Sequence, residues 1–167
     1  YANGSDTEHF LSEIMWREFS CYLLHHFNSL HKDNFNNKFN NFPWENNLKY
    51  LKAWQTGNTG FPIIDAGMRQ LWQTGYMHNR VRMVVASFLC KHLLIDWRWG
   101  EAYFAEHLND FELSSNNGGW QWSASTGTDS QPYFRVFNPT LQTEKFDKKL
   151  GYIRKWVPEI NRSEERR

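Results

Sequence analysis

Apolar residues recur along the chain at helical rather than strand spacing, separated by polar, asparagine-rich or glycine-marked stretches. Phe10, Ile14, Phe19, Leu23 and Phe27 fall on one face of a 3.6-residue period. They predict a first helix running to about Phe27, with that stripe in the core. Ser5-Asp6-Thr7-Glu8 has the S-x-x-E spacing of a capping box, in which the two side chains satisfy the free amides of the first turn. Residues 28–47, rich in asparagine and lysine, show no period and predict an irregular connection. A short helix follows over about Leu48 to Gln55, stopped by Gly57 and Gly60. Pro62 suits the first turn of the next helix, where its missing N–H costs nothing, and Gly75 suits its C-terminal cap. Asn79 is the candidate cap of a helix from about Arg80 to Ile95, heavily buried through Val84, Val85, Phe88, Leu89 and Leu93. A short helix over Glu101 to Leu108, a loop from Gly127 to Glu144 and a last helix from about Phe146 to Trp156 complete the reading. No strand alternation persists and no repeat is found, so the fold class is all-α, in one domain over 1–167.

Composition sharpens this picture only at its edges. With 19 Lys+Arg against 18 Asp+Glu the net charge is +1, so any basic face for an anionic partner has to be local. The ring count is high, at 9 Trp, 7 Tyr and 13 Phe; core packing accounts for most such rings, and a ligand face for some. Cys21 and Cys90 lie in apolar helical contexts without C-x-x-C spacing, which predicts buried free thiols in a reducing compartment. The longest apolar run, Met83 to Cys90, is far too short for a membrane span, and nothing reads as a signal peptide. An intracellular protein is expected, cytoplasmic if bacterial, acting as a monomer.

One stretch departs from ordinary core chemistry. From Asn116 to Asp129 the chain is polar and small, yet it carries Trp120 and Trp122 among glycines, amides and hydroxyls. Glycine lets backbone approach a ligand closely, so this stretch predicts the wall of a pocket for a flat, polar, aromatic molecule. On the first helix Glu13, Trp16, Arg17 and Ser20 share one face, either as a surface Glu13–Arg17 pair beside a half-buried ring or as part of the same pocket. Arg80 and Arg82 stand at a helix N-terminus, where the macrodipole disfavours cations; acidic partners such as Asp110 and Glu112, or phosphate, are expected. The seven histidines show no metal-ligand spacing, so no metal site is expected. P-loop, G-x-G-x-x-G and G-x-S-x-G motifs are absent.

Taken together, several segments resemble the photolyase/cryptochrome flavoproteins, specifically the C-terminal portion of their helical FAD-binding domain. The matching segments are 13–19 (Glu-Ile-Met-Trp-Arg-Glu-Phe), 59–71, 76–83 with Met77-His78-Asn79-Arg80-Val81-Arg82-Met83, 94–98 (Leu-Ile-Asp-Trp-Arg) and Asn116 through Phe134. They occur in the family's order, and the forms at 77–83 and 116–122 are most similar to the branch that repairs cyclobutane pyrimidine dimers.

The resemblance implies FAD as cofactor and dimer-containing DNA as partner, with the damaged bases flipped out of the duplex at a cost of a few kcal/mol. Light-excited reduced FAD then donates an electron that splits the cyclobutane ring. It implies that Glu13, Trp16, Asn79, Met83 and Trp122 contact the dimer, with Glu13 on the pyrimidine edge, and that Arg80 and Gln142 touch the DNA strand. Phe10, Arg17, Arg82, Asp110, Phe111, Glu112 and Asn116 are implied FAD contacts, with Asn116 at the flavin N5. Trp120, Trp97 and Trp44 match an electron relay from flavin to surface; Trp54, Trp72, Trp99 and Trp156 receive no role. The family's phosphate-binding Thr-Ser-x-Leu-Ser segment and its N-terminal antenna domain are absent from the sequence, so a partial FAD-binding domain over 1–167 is expected, with repair a property of the parent protein. The alternatives are a blue-light signalling cryptochrome without repair and an inert helical fragment.

Overall fold

Helix α1 (Gly4–His26) begins the fold, and the predicted Ser5 start falls one residue inside it. The computed structural model describes residues 4–130, 132 and 135–164. The Ser5 side chain of the predicted capping box, and Gln131, Tyr133 and Phe134 of the matching segment, lie outside what is described. The predicted core stripe of α1 is not a core: Phe10 is 64% exposed, Phe19 and Phe27 are exposed, and Ile14 and Leu23 are only half-buried. The reason is packing. Helix α1 rests mainly on one later helix and on the 3₁₀ turn Asn28–His31, which leaves much of its apolar surface uncovered. Cys21 is exposed rather than buried, with Sγ 3.1 Å from Ser114 Oγ; Cys90 is buried as expected, and both are free thiols.

The connection over 28–47 is irregular apart from the turns Asn28–His31 and Asn37–Phe39. Helix α2 (Leu48–Gln55) matches its predicted bounds, with the Asn47 side chain accepting from the Lys49 and Tyr50 amides. Helix α3 (Pro62–Thr74) has Pro62 in its first turn and ends on Gly75, whose φ of 67° is the left-handed conformation that glycine adopts without strain.

The predicted helix over Arg80 to Ile95 divides. Helix α4 (Asn79–Ser87) is capped by His78, whose ring Nδ1 accepts from the Arg80 amide, rather than by Asn79. It then widens into a π-helical turn at Phe88–His92, closed by Leu93 N–H donating to the Phe88 carbonyl. That turn buries Phe88, Leu89 and Cys90, continuing the buried run Val84–Ser87 of α4. Leu93 itself is only partly buried. Helix α5 (Trp97–His107) starts four residues earlier than predicted, because the Asp96 carboxylate caps it through the Arg98 amide.

The stretch expected as a pocket wall, with no element assigned to it, is largely helical, as α6 (Leu113–Ala124). Its glycines and asparagines are weak helix formers, but tertiary contacts override propensity. Asn117 and Gln121, one turn apart and buried, both donate to the Leu30 carbonyl, at 2.9 and 3.0 Å, and Gln121 Oε1 accepts from the Phe35 amide. The predicted loop to Glu144 and final helix are instead α7 (Pro139–Phe146), α8 (Gly151–Trp156) and α9 (Glu159–Glu164). Helices α3–α6 enclose the core, built on Trp54, Met68, Val85, Leu89, Trp97, Phe104 and Trp120. No strand occurs among the described residues, and no described helix is long and apolar enough to cross a membrane.

Candidate functional site

Helices α1, α4 and α6 meet around two adjoining cavities. The larger, about 460 Å³, is lined by Glu13, Trp16, Arg17 and Ser20 of α1, Asn79 and Met83 of α4, and Ser115, Gly119 and Trp122 of α6, among others. The smaller, about 190 Å³, takes Arg82, Asp110, Phe111, Glu112, Asn116 and Trp120. Asn79, Met83, Ser115 and Gly119 line both, so the two spaces share a wall. Gly119 explains how that wall stays thin: a Cβ placed there would meet nothing within 4 Å.

The α1 face comes together as its spacing requires, but without a Glu13–Arg17 pair. Arg17 Nη2 lies 3.6 Å from Glu18 Oε1, both well exposed, an arrangement worth about 0–1 kcal/mol. Glu13, with no ion pair among the described residues, lines the larger cavity together with Trp16 and Asn79. Trp16 is 54% exposed and Trp122 half-buried, so two indoles border a mouth open to solvent.

Around the smaller cavity the polar groups are fixed by one another. Arg82 Nη2 donates to both Asp110 oxygens, at 3.1 and 2.9 Å, and its Nε donates to the Met77 carbonyl. This is the acidic partner expected for Arg82; Arg80 has none among the described residues, and its guanidinium lies over the Phe146 ring at 4.9 Å. Asn116 Nδ2 donates to the Glu101 carboxylate at 3.0 Å and to the Glu101 carbonyl at 3.1 Å. The amide is thereby oriented, and its oxygen is the group left for a ligand. Burial pushes the Glu101 carboxyl above the ordinary carboxylate range, opposed by the Asn116 hydrogen bond. Glu112 is committed elsewhere: its oxygens accept from the amides and hydroxyls of Ser114 and Ser115, at 2.6–2.9 Å. Desolvation raises its pKa, but these four bonds together outweigh it and bring the pKa down to about 2.

Trp120 is 2% exposed and its indole N–H has no partner among the described residues. Its ring sits against Phe104, at 5.0 Å, and Trp54, at 6.1 Å, in edge-on geometry. Gly100 makes room for it, since a Cβ there would lie 2.1 Å from the Trp120 ring. Trp97, one turn earlier on α5, is fully buried and donates to Asn34 Oδ1 at 2.8 Å. Trp44 is half-buried; the adjacent Glu45 and Asn46 amides donate to the Leu94 carbonyl, and Asn46 accepts from the Asp96 amide, tying its segment to the start of α5.

Five predicted residues line neither cavity: Arg80, Trp97 and Trp44, placed above, and Phe10 and Gln142. Phe10 is exposed, one turn before Glu13. Gln142 stands on α7, its side-chain oxygen buried without a partner among the described residues. Sequence reasoning missed Glu101, whose link to Asn116 spans 15 residues and leaves no periodic trace, and Trp54, whose ring contacts Trp120 across the core.

Comparison with known proteins bears on what fills these spaces. A family model described as the FAD binding domain of DNA photolyase matches residues 10–167. A deoxyribodipyrimidine photo-lyase of Agrobacterium fabrum is 55% identical over 161 residues, which is 96% of this chain and 34% of that protein. Among solved structures, a class III photolyase from Agrobacterium tumefaciens superposes with a TM-score of 0.94 at 54% identity, covering 96% of this chain and 33% of its own. A Synechocystis cryptochrome superposes with a TM-score of 0.88 at 39% identity, covering 96% and 33%. The chain thus spans about a third of the length of these relatives.

Proposed function

The chain belongs to the FAD-binding domain family of DNA photolyases, and from that premise we propose that it forms the lesion-facing part of an enzyme repairing cyclobutane pyrimidine dimers in DNA with light. The observation that carries this reading is the pair of cavities sharing one wall at Gly119. One is bordered by two indoles and a carboxyl, as a flipped pyrimidine pair requires; the other by an oriented amide and a cation–anion pair, as a polar heterocycle requires.

The residues fit FAD on their own chemistry. The smaller cavity supplies the Asn116 amide oxygen and the Arg82–Asp110 pair, and Gly119 leaves open the space that a side chain would fill. Arg82, Asp110, Phe111 and Asn116 would hold the cofactor, with Arg17 reaching it from the larger cavity. Glu112 acts through the cap that fixes the start of α6. Reduced FAD, when bound, supplies the light-driven electron for dimer splitting. Trp16 and Trp122 stack the extruded bases, each worth about 1–3 kcal/mol against the cost of unstacking. Glu13 hydrogen-bonds the pyrimidine edge, and Asn79 and Met83 close the wall between dimer and cofactor. Arg80 and Gln142 meet the strand outside. Trp120, Trp97 and Trp44 carry oxidising equivalents outward from the buried end to the half-buried one. A monomer suffices for every role.

A signalling flavoprotein is the second reading, favoured by the cryptochrome among the matching structures. It needs the smaller cavity and the indoles but not a carboxylate on the larger one. Replacing Glu13 by alanine in the flavin-loaded protein, at the full length of its relatives, discriminates the two. Repair yield falls with bound flavin unchanged if Glu13 faces the dimer; wild-type repair without Glu13 would sink that assignment.

A further inference from the structure

The three indoles of the relay differ in what their N–H groups meet. The Trp120 N–H is buried without a partner among the described residues. The Trp97 N–H donates to Asn34 Oδ1 at 2.8 Å, and the two residues are 0% and 2% exposed. Trp44 is half-buried, the most exposed ring of the three. The Asn34 amide is held in one orientation. Its Nδ2 donates to Asn40 Oδ1 at 3.0 Å and its backbone amide donates to the same oxygen at 3.3 Å, so its carbonyl oxygen stays on the Trp97 side.

An indole that has lost an electron is a cation, and its N–H is a stronger donor and a stronger acid than before. Hydrogen bonds to charged groups exceed neutral ones, and more so where water is excluded. Trp97 therefore holds a positive hole better than Trp120, while an amide oxygen is too weak a base to take the proton. Two neighbours make that help necessary. The Arg98 guanidinium lies over the Trp97 ring at 4.8 Å and opposes positive charge there; Asp96 offsets it, accepting from Arg98 at 3.1 and 3.0 Å. Trp54 competes for the same hole: its ring lies 6.1 Å from Trp120, and its N–H donates to the Val85 carbonyl at 3.1 Å. The shorter bond at Trp97 favours the branch that ends at the half-buried ring. We infer that Asn34 is a positioning residue for electron flow: its carbonyl oxygen stabilises the hole on Trp97 without taking the indole proton, so that the proton is lost only at Trp44. The inference rests on the relay proposed above. The first electron leaves Trp120 for the light-excited oxidised flavin. Trp97 then gives one electron to Trp120 and takes one from Trp44, whose N–H proton passes to water.

The test follows indole radicals by transient absorption after a blue flash, in the protein at the full length of its relatives and loaded with oxidised flavin. Asn34→Leu keeps similar bulk and removes the acceptor. It is expected to leave the oxidation of Trp120 at its wild-type rate and to cut the yield of oxidised Trp44 about tenfold or more. Trp44→Phe, with Asn34 in place, is expected to stop the hole on Trp97 as a protonated radical cation that recombines without forming the neutral radical. In the flavin-free protein, the indole N–H resonance that Trp97→Phe removes should lie downfield and move upfield in Asn34→Leu. A wild-type yield of oxidised Trp44 in Asn34→Leu, a loss that already begins at Trp120, a neutral radical on Trp97 in Trp44→Phe, or an unmoved resonance would each overturn the role of Asn34. Wild-type photoreduction in Trp97→Phe would instead overturn the relay itself, a result that the resonance shift would survive.

Discussion

Gly119→Ala separates stability from function at a single methyl group. Gly119 lies within α6, and a Cβ there meets no atom within 4 Å. Alanine in a helix interior is favoured over glycine by about 1 kcal/mol, and no overpacking opposes it here. The flavin-free protein should therefore gain about 0.5–1 kcal/mol, a rise in Tm of roughly 1–4 °C for a chain of this size. The same methyl projects into the wall shared by both cavities, where a bound ring would approach the bare backbone. Displacing a reacting group by about 1 Å can cost on the order of a hundredfold in rate, so flavin retention and repair should fall while the melt improves. Thermal unfolding by circular dichroism, flavin absorbance per polypeptide and repair yield read the three quantities separately. A variant that melts higher and keeps wild-type flavin and repair would refute the role given to the open wall.

Gly100→Ala should do the opposite for stability. Its Cβ would lie 2.1 Å from the Trp120 ring and 2.7 Å from Leu89, and overpacking of about 1–3 kcal/mol outweighs the helix-propensity gain, so a lower Tm and slower photoreduction are expected; a Tm at or above wild type would contradict it. Trp44→Phe should slow photoreduction of oxidised flavin yet leave repair intact once the flavin is reduced chemically, whereas equal losses in both assays would remove Trp44 from the relay. Glu112 titrates near 2 in the fold against 4.5 ordinarily, so its contribution is complete above pH 4.5 and is lost as pH falls from there towards 2. Glu112→Gln should flatten that limb of an acid-unfolding curve, and an unchanged limb would show that the cap does not couple to stability.

The legible parts of the fold are those where local chemistry decides. Pro62 and Gly75 bound α3, and Leu48–Gln55 is helical where its pattern ends in Gly57. The start of α5 at Trp97 is set by a local cap, Asp96, that no apolar pattern marks, whereas the whole of α6 depends on partners far away in sequence. Leu30 and Phe35 hold Asn117 and Gln121 helical, and no window around Gly118-Gly119 contains that information. The stripe on α1 misleads for a related reason: periodicity reports which residues share a face, not what covers it. For the site, Glu13, Trp16, Asn79, Met83 and Trp122 were legible through motifs, and they converge on one cavity. Glu101 was not, because its importance comes from the Asn116 amide it orients.

The central claim is light-driven dimer repair at the larger cavity, and it is tested most directly with irradiated oligothymidine and the flavin-reduced protein at the full length of its relatives. Recovery of thymine absorbance under blue light, none in darkness, and a fall of about tenfold or more in Glu13→Ala with flavin content unchanged is the predicted result, in line with loss of one hydrogen bond to a charged group. Stable reduced flavin with no recovery under light would contradict the account.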